Sequence, residues 1–298
     1  MNDDTLTLPP GRSEPAAGSG RRSGAGLPRW LAGGIVAAKA AGVACWLAPF
    51  ALHGWAGAVM FFGPDVFLLA QIFVPSAAAL CAVHTRFRAR GVEVWLTIDD
   101  GPDPADTPRI LDALDRHGAR ATFFLIGERA ARHPELVREI ARRGHEAGCH
   151  TQTHPVASFW AAGPRRTARE IDAARAAIRA GGAEPRRFRT PVGIKNFFLA
   201  RVLAERGLRC IGWSVRSRDG IDSDAARVER RVARRLRPGA IVLMHEGPAV
   251  AAGVRVVAIE RVLRLLAERG LRCVVPTEDQ LEDLPSEGRI RGASRRRS

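Results

Sequence analysis

Two adjacent acids close an apolar run: Val94-Trp95-Leu96-Thr97-Ile98 leads directly into Asp99-Asp100-Gly101-Pro102. The run reads as a buried strand. Neighbouring carboxylates repel and must be desolvated together, so a fold keeps them at a strand end when a cation or a proton shares the cost. A metal site is therefore the first expectation. Further along, His150-Thr151-Gln152-Thr153-His154 is the one histidine pair with ligand spacing. A carboxylate with two imidazoles suits a borderline divalent ion, Zn first and Co or Mn as alternatives, with a position left open for chemistry. Such a centre points to hydrolysis.

The 298 residues, 46% of them hydrophobic, suffice for one α/β barrel with extra segments. The formal charge of +15 raises the question of nucleic acid. Lys39 and Lys195 are the only lysines among the 46 basic residues, and many of the arginines stand beside Glu on Ala-rich helical stretches such as Arg138-Glu139 and Glu229-Arg230-Arg231. They read as solvated helix faces, and no nucleic-acid partner is expected. Five widely spaced Cys form neither a disulfide framework nor a Cys-x-x-Cys site.

Residues 1–28, rich in Gly, Pro, Ser and Arg, read as a disordered tail, and 285–298 as a basic C-terminal tail ending in Arg295, Arg296 and Arg297. Between them, 29–85 is a hydrophobic, membrane-anchoring region with one or two crossings. No charged residue interrupts the span from Lys39 to Asp65, which is long enough for a hydrocarbon core of ~30 Å. Val66 to Val83, with Gln71 and Pro75, reads as a second crossing or as a buried segment before the domain. Arg21, Arg22, Arg29 and Lys39 on one side and Arg86, Arg88 and Arg90 on the other favour a hairpin in a bacterial-type inner membrane with the domain in the cytoplasm. A single crossing would put the domain outside. Membrane lipid is the expected partner of this region.

After Gly91, short β-branched or aromatic runs alternate with Ala/Leu/Arg stretches of helical period. Strands are expected at 93–98, 120–126, 145–149, 187–190, 208–215, 240–245 and 271–275. Helices are expected to begin near Thr107-Pro108 and His133-Pro134 and to stop at Gly118, Gly144, Gly207 and Gly270. The octapeptide Leu-Ala-Glu-Arg-Gly-Leu-Arg-Cys occurs at both 203–210 and 266–273 and reads as two helix-Gly-strand junctions. Seven parallel strands with helices between them predict an α/β fold, a (β/α)7-type barrel with its chemistry at the strand C-terminal ends.

Each notable polar group falls at such an end. Thr97-Ile98-Asp99-Asp100-Gly101, His150-Thr-Gln-Thr-His154, Arg189-Thr-Pro-Val-Gly193 and Leu243-Met-His245 resemble, in order and spacing, the motifs of the polysaccharide deacetylase family, the NodB-homology or carbohydrate esterase family 4 domain, over 92–280. The resemblance implies a deformed NodB-like barrel that uses a divalent metal to remove an N-acetyl or other N-acyl group from an amino sugar, in a glycan or a lipid-linked saccharide. It implies Asp100, His150 and His154 as metal ligands and Asp99 as the base that deprotonates the metal-bound water. His245 would be the acid that protonates the departing amine. Arg189 would pair with the catalytic carboxylate, Asp219 would support His245, the Val192 N–H would donate to the oxyanion, and Leu243 would line the acyl pocket.

The sequence departs from the family pattern in Trp213-Ser-Val-Arg216-Ser-Arg-Asp219-Gly220, where Arg216 and Gly220 replace the outer residues of the usual Asp-x-x-Asp-Trp. Val192 stands where an aromatic is usual, and the chain has no Tyr. The acyl-pocket wall is the feature these changes put in question. They also motivate the competing expectation of a membrane-anchored carbohydrate-binding protein with a non-catalytic barrel. Lys195 and Asn196 read either as substrate contacts or as a helix start at Asn196. Glu246 reads as either a neighbour of the site or a solvated acid, and His117, His133 and His145 as surface or helix-end residues.

Overall fold

A computed structural model of the chain describes residues 29–47, 54–247 and 253–282. The tails expected at 1–28 and 285–298 lie outside these residues. In chain order the elements are α1 (Arg29–Leu47), α2 (Gly54–Phe73), β1 (Val83–His84), β2 (Glu93–Gly101), α3 (Thr107–Arg116), β3 (Ala121–Leu125), α4 (Gly127–Arg132), α5 (Pro134–Arg142) and β4 (Glu146–Cys149). They continue with α6 (Pro164–Ala180), β5 (Arg187–Phe188), α7 (Leu199–Ala204), β6 (Arg209–Ile211), β7 (Val215–Arg216), α8 (Ala225–Ala233), β8 (Ile241–His245), α9 (Val254–Glu268), β9 (Arg272–Cys273) and α10 (Asp279–Glu282).

The strands form one curled parallel sheet in the order β1-β6-β5-β4-β3-β2-β8-β7, with β9 pairing the start of β2. This is an α/β half-barrel. Its two faces follow from the two-residue period of a strand. Along β2, Val94, Leu96 and Ile98 join the large core under the helices, whereas Trp95 joins a smaller cluster with Phe87, Phe124, Ile211, Ile241 and Leu281. Thr97 and Asp99 share Trp95's face by alternation. On β8 the same alternation sends Val242 and Met244 to the helix side and sets Leu243 and His245 with Ile241 on the concave side. The polar residues are thus stacked above a small aromatic plug.

The expected strand at 208–215 is two strands. β6 pairs with β5 and β1 near one end of the sheet, and β7 pairs with β8 at the other. Residues 212–214 therefore bridge the gap in the barrel, held by the Gly212 N–H on the His84 carbonyl (2.8 Å) and the Ser214 N–H on the Ile241 carbonyl (3.1 Å). The sheet also begins at Val83, within the stretch assigned from hydropathy to the membrane region, because Val83 and His84 pair with Cys210 and Ile211. Both copies of the octapeptide do run from a helix through a left-handed glycine (Gly207 and Gly270, φ 63° in each) into a strand.

The apolar region contains two helices long and apolar enough to cross a membrane. One ends at Leu47 and the other starts at Gly54 and runs unbroken through Asp65, where hydropathy alone places the division. Asp65 does not interrupt α2 because Lys39 of α1 meets its charge at 2.7 Å. Trp46 and Phe61 also pack across the pair, with ring centroids 5.3 Å apart.

Gly148 of β4 sits where a Cβ would lie 2.7 Å from two Phe124 ring carbons, so the ring occupies the space a side chain would need. Gly148→Ala is expected to destabilise the protein by about 1–3 kcal/mol through overpacking. A lowered urea midpoint at unchanged slope would show it, and an unchanged midpoint would refute it.

Candidate active site

Parallel pairing puts the C-terminal ends of β2, β4, β5 and β8 on one rim, and the register aligns Asp99 with His245 across the β2–β8 ladder. A bulge between Asp99 and Gly101 then interrupts β2, and Asp100 turns to φ 71°. This breaks the alternation. Two consecutive acids can therefore face the same centre, which a regular strand forbids.

Asp100, His150 and His154 bring one ligand atom each to within 4.8 Å of one another. His150 Nε2 and His154 Nε2 stand 3.6 and 3.5 Å from Asp100 Oδ1. Bonds of roughly 2.1 Å at tetrahedral angles separate donors by about 3.4 Å, so these residues fit a divalent cation. The tautomer fits too: His150 Nδ1 is 2.9 Å from the Arg189 carbonyl, which only accepts, so Nε2 presents its lone pair. Burial, reinforced by the charge of His150, pushes His154 down to about 4, so its ring is neutral near pH 7. Burial alone would raise the Asp100 carboxyl, but contact with His150 and the charges of His150, His245 and His154 carry it below the ordinary carboxylate range.

On one flank, Arg189 has no exposed surface. Its Nη1 donates to Asp99 Oδ1 and Thr97 Oγ1, both at 2.7 Å, while Nε and Nη2 donate to the carbonyls of Ile211 (3.1 Å) and Gly212 (2.7 Å). Asp99 Oδ2 remains 3.7 Å from His150 Nε2, facing the donor set. On the other flank, Asp219 Oδ1 accepts from His245 Nδ1 at 2.7 Å and from the Ser217 hydroxyl at 2.6 Å, and Oδ2 accepts the His245 N–H at 2.8 Å. Burial opposes charge on His245, but the adjacent Asp219 carboxylate, then Asp99 and Asp100, raise its pKa above the ordinary value. Burial would likewise raise Asp219, yet the His245 charge and hydrogen bonds hold it low.

Val192 lies in the turn Pro191–Gly193 at φ 46°, 45% exposed, and Leu243 is buried on β8 beside Thr97 and Arg216. A Cβ on Gly220 would lie only 3.6 Å from His245 Nδ1, so this glycine leaves one side of the ring open. Among the described residues, the non-glycine positions with positive φ are Asp100, Thr151, His154, Val192 and Arg218. Backbone strain is concentrated on the loops of this one rim.

One supporting group, Glu170, had no sequence signal. Glu170 on α6 accepts the N–H groups of Gln152 (3.0 Å) and Thr153 (2.9 Å) and the Thr153 hydroxyl (2.9 Å), pinning the loop between the two histidines. Lys195 and Asn196 are both 1% exposed, not rim residues, and the following helix starts at Leu199. His145 is 6% exposed, stacked on Phe123, rather than at the surface. Glu246 is fully buried and not solvated. Its N–H donates to the Asp99 carbonyl at 3.0 Å, its Oε2 accepts from Thr107 Oγ1, and its Oε1 has no partner among the described residues.

Fold and rim together define a hydrolase of the parallel-barrel class, with a donor triad that could hold a cation set between an acid and an imidazole. The polysaccharide deacetylase family profile matches residues 88–211. A chitooligosaccharide deacetylase of Bradyrhizobium sp. (strain ANU 289) is 42% identical over 156 residues, covering 52% of this chain and 70% of that protein. A peptidoglycan-N-acetylglucosamine deacetylase of Bacillus cereus is 34% identical over 187 residues, covering 62% of this chain and 86% of that protein. Among solved structures, a family 4 carbohydrate esterase from Streptomyces lividans in complex with acetate superposes with a TM-score of 0.58 at 34% identity, over 64% of this chain and 96% of that one. The chain belongs to the polysaccharide deacetylase family and, like its relatives named deacetylases, is a hydrolase of carbon–nitrogen bonds other than peptide bonds.

Burial, with the charges of Asp103 and Asp106, pushes Glu246 up to about 8. The unfolded chain releases this proton in the ordinary carboxylate range and the folded chain holds it, so stability falls as pH rises from there to about 8 and is fully retained below. Glu246→Gln should remove that part of the slope. The gap between urea midpoints at pH 5 and pH 8 should be smaller in the variant, and an equal gap in both proteins would contradict it.

Proposed function

We propose that the chain removes the N-acetyl group of an N-acetylated amino sugar in a glycan or lipid-linked saccharide, working at a membrane surface. The observation that carries the reading is the arrangement on one rim of the Asp99–Arg189 pair, the Asp100/His150/His154 donor set and the His245–Asp219 pair. A divalent cation held by Asp100, His150 and His154, Zn before Co or Mn, would supply Lewis-acid polarisation of the acyl oxygen and make water at the site more acidic.

The chain's own groups do the rest. Asp99 takes the proton from the attacking water while Arg189 fixes one of its oxygens and leaves the other turned to the site. Attack converts the planar amide carbon to a tetrahedral one, and its oxygen gathers negative charge. The exposed Val192 turn presents its N–H to that oxygen, held in place by backbone rather than by side chain. His245, kept protonated by Asp219, gives its Nε2 proton to the amine nitrogen as the carbon–nitrogen bond breaks. Leu243 supplies the apolar wall for the acetyl methyl, and Gly220 leaves that side of the pocket open.

Asp99→Asn is expected to lower kcat on N-acetylated chitooligosaccharides by about 10²–10⁴-fold while zinc binding, measured by calorimetry, persists. Chelation should abolish acetate release in the wild type, with recovery on adding Zn, Co or Mn. Loss of zinc affinity in the Asn variant, or full activity after chelation, would refute these roles.

We assign α1 and α2 to the bacterial inner membrane as a hairpin anchor, with the catalytic domain, 92–280 together with β1, on the cytoplasmic face. The protein should resist carbonate extraction from membranes. A reporter that fluoresces only in the cytoplasm should be bright when fused after Ser298, and a dark fusion at normal expression would place the domain outside.

A further inference from the structure

Where α2 meets the barrel, an apolar groove of about 390 Å³ is left between them. One wall is α2, through Leu68, Leu69 and Ile72. The opposite wall is Trp160 with Phe197 and Phe198. Both barrel segments continue loops of the active-site rim, Trp160 following the loop of His154 and Phe197 the turn of Val192.

Three contacts make the groove a fixed feature. Lys195 is buried with no acidic partner among the described residues. Its Nζ donates to the Val74 carbonyl at 2.8 Å and the Pro75 carbonyl at 3.3 Å, and its N–H donates to the Ile72 carbonyl at 3.0 Å, locking the end of α2 to the segment beyond Val192. Asn196 Nδ2 donates to the Phe159 carbonyl at 3.1 Å, tying the two barrel loops together. Phe73 and Trp160 face each other across the junction with ring centroids 6.1 Å apart.

The two ends of the groove differ in character. Outward, it merges with the exposed apolar surface of α2, where Leu69 is 51% and Phe73 44% exposed. Inward, the end of α2 abuts the Val192 turn, where a Cβ on Gly193 would lie 2.5 Å from the Pro75 side chain, and the Trp160 wall follows the His154 loop in the chain. The one acid on its wall, Asp65, is neutralised by Lys39.

We infer that this groove binds the hydrocarbon chain of a lipid-linked amino-sugar substrate, delivering the saccharide head from the bilayer to the rim. The inference rests on the deacetylase reading above and narrows its substrate class. Continuity decides the occupant. The groove's outer wall is the helix surface that the bilayer covers, so a chain enters without crossing water, and its inner end leaves the attached sugar at the catalytic loops. A volume of this size accepts a single alkyl chain, whose burial against these side chains removes apolar surface from water.

The test uses the full chain, zinc-loaded, in nanodiscs of one lipid composition. Acetate release is compared for the methyl and dodecyl β-glycosides of N,N′-diacetylchitobiose below the micellar concentration. Wild type should show a dodecyl-to-methyl ratio of kcat/KM of about tenfold or more. The ratio should fall towards one in Ala161→Trp and in Leu69→Trp, which fill the groove from opposite walls. A wild-type ratio near one overturns the inference. So does a high ratio that survives in both variants, since partition into the bilayer then accounts for it, or variants that only dissociate an oligomer, since the groove is then a contact between copies. If neither glycoside releases acetate, the deacetylase reading fails. The groove is then judged separately by calorimetric binding of the dodecyl glycoside, which the inference requires to exceed that of the methyl glycoside and to be lost in both variants.

Discussion

A guanidinium with no path to water organises the concave face. Arg189 leaves the end of β5, passes above β4 and β3, and reaches Thr97 and Asp99 on β2 while also binding the carbonyls of Ile211 and Gly212. It stacks on Phe124, with its central carbon 4.3 Å from the ring centroid. A buried charge pair of this kind contributes little net stability compared with an apolar filling, but removing one partner strands the other and costs about 3–5 kcal/mol. The pairing thus makes a buried Asp99 tolerable. It also explains why 208–215 cannot remain one strand, because the carbonyls at 211 and 212 must turn inward to meet the arginine.

The second constraint is geometric. A strand sends successive side chains to opposite faces, so adjacent acids can serve one centre only where the backbone leaves the strand conformation. The bulge after Asp99 does so at φ 71° for Asp100, and similar left-handed turns occur at Thr151, His154 and Val192. Supports for these turns come from outside the motifs: Glu170 holds 152–153 from α6, Arg129 of α4 donates to the Asp100 carbonyl at 2.6 Å, and the Glu246 N–H holds the Asp99 carbonyl. The rim is preorganised by hydrogen bonds to its backbone.

Sequence reasoning reached the motif-bearing residues because their chemistry is unusual for a strand end. Asp99, Asp100, His150, His154, Arg189, Asp219 and His245 are polar groups punctuating apolar runs, and all of them meet on one rim. It missed Glu170, left Glu246 open between a site neighbour and a solvated acid, and did not foresee the burial of Lys195, since a Glu on an amphipathic helix or a Lys after a glycine looks the same in sequence whether solvated or buried. It also missed β1, two residues long and supported only by Cys210 and Ile211 far along the chain. The second apolar helix was displaced because hydropathy treats Asp65 as a stop, whereas Lys39 on the neighbouring helix cancels that charge.

From sequence alone, hydrophobic period and punctuation determined that parallel strands alternate with helices after residue 91, that a long apolar region precedes them, and that unusual polar groups stand at the strand ends. These are local properties, because side-chain alternation and capping glycines act within a few residues. Only the tertiary structure decided that the 212–214 segment spans the open side of the barrel, that Glu170 of α6 holds the loop between the two histidines, and that α2 docks on the barrel through Lys195. Each depends on groups brought together from distant parts of the chain, and such contacts leave no period in the sequence.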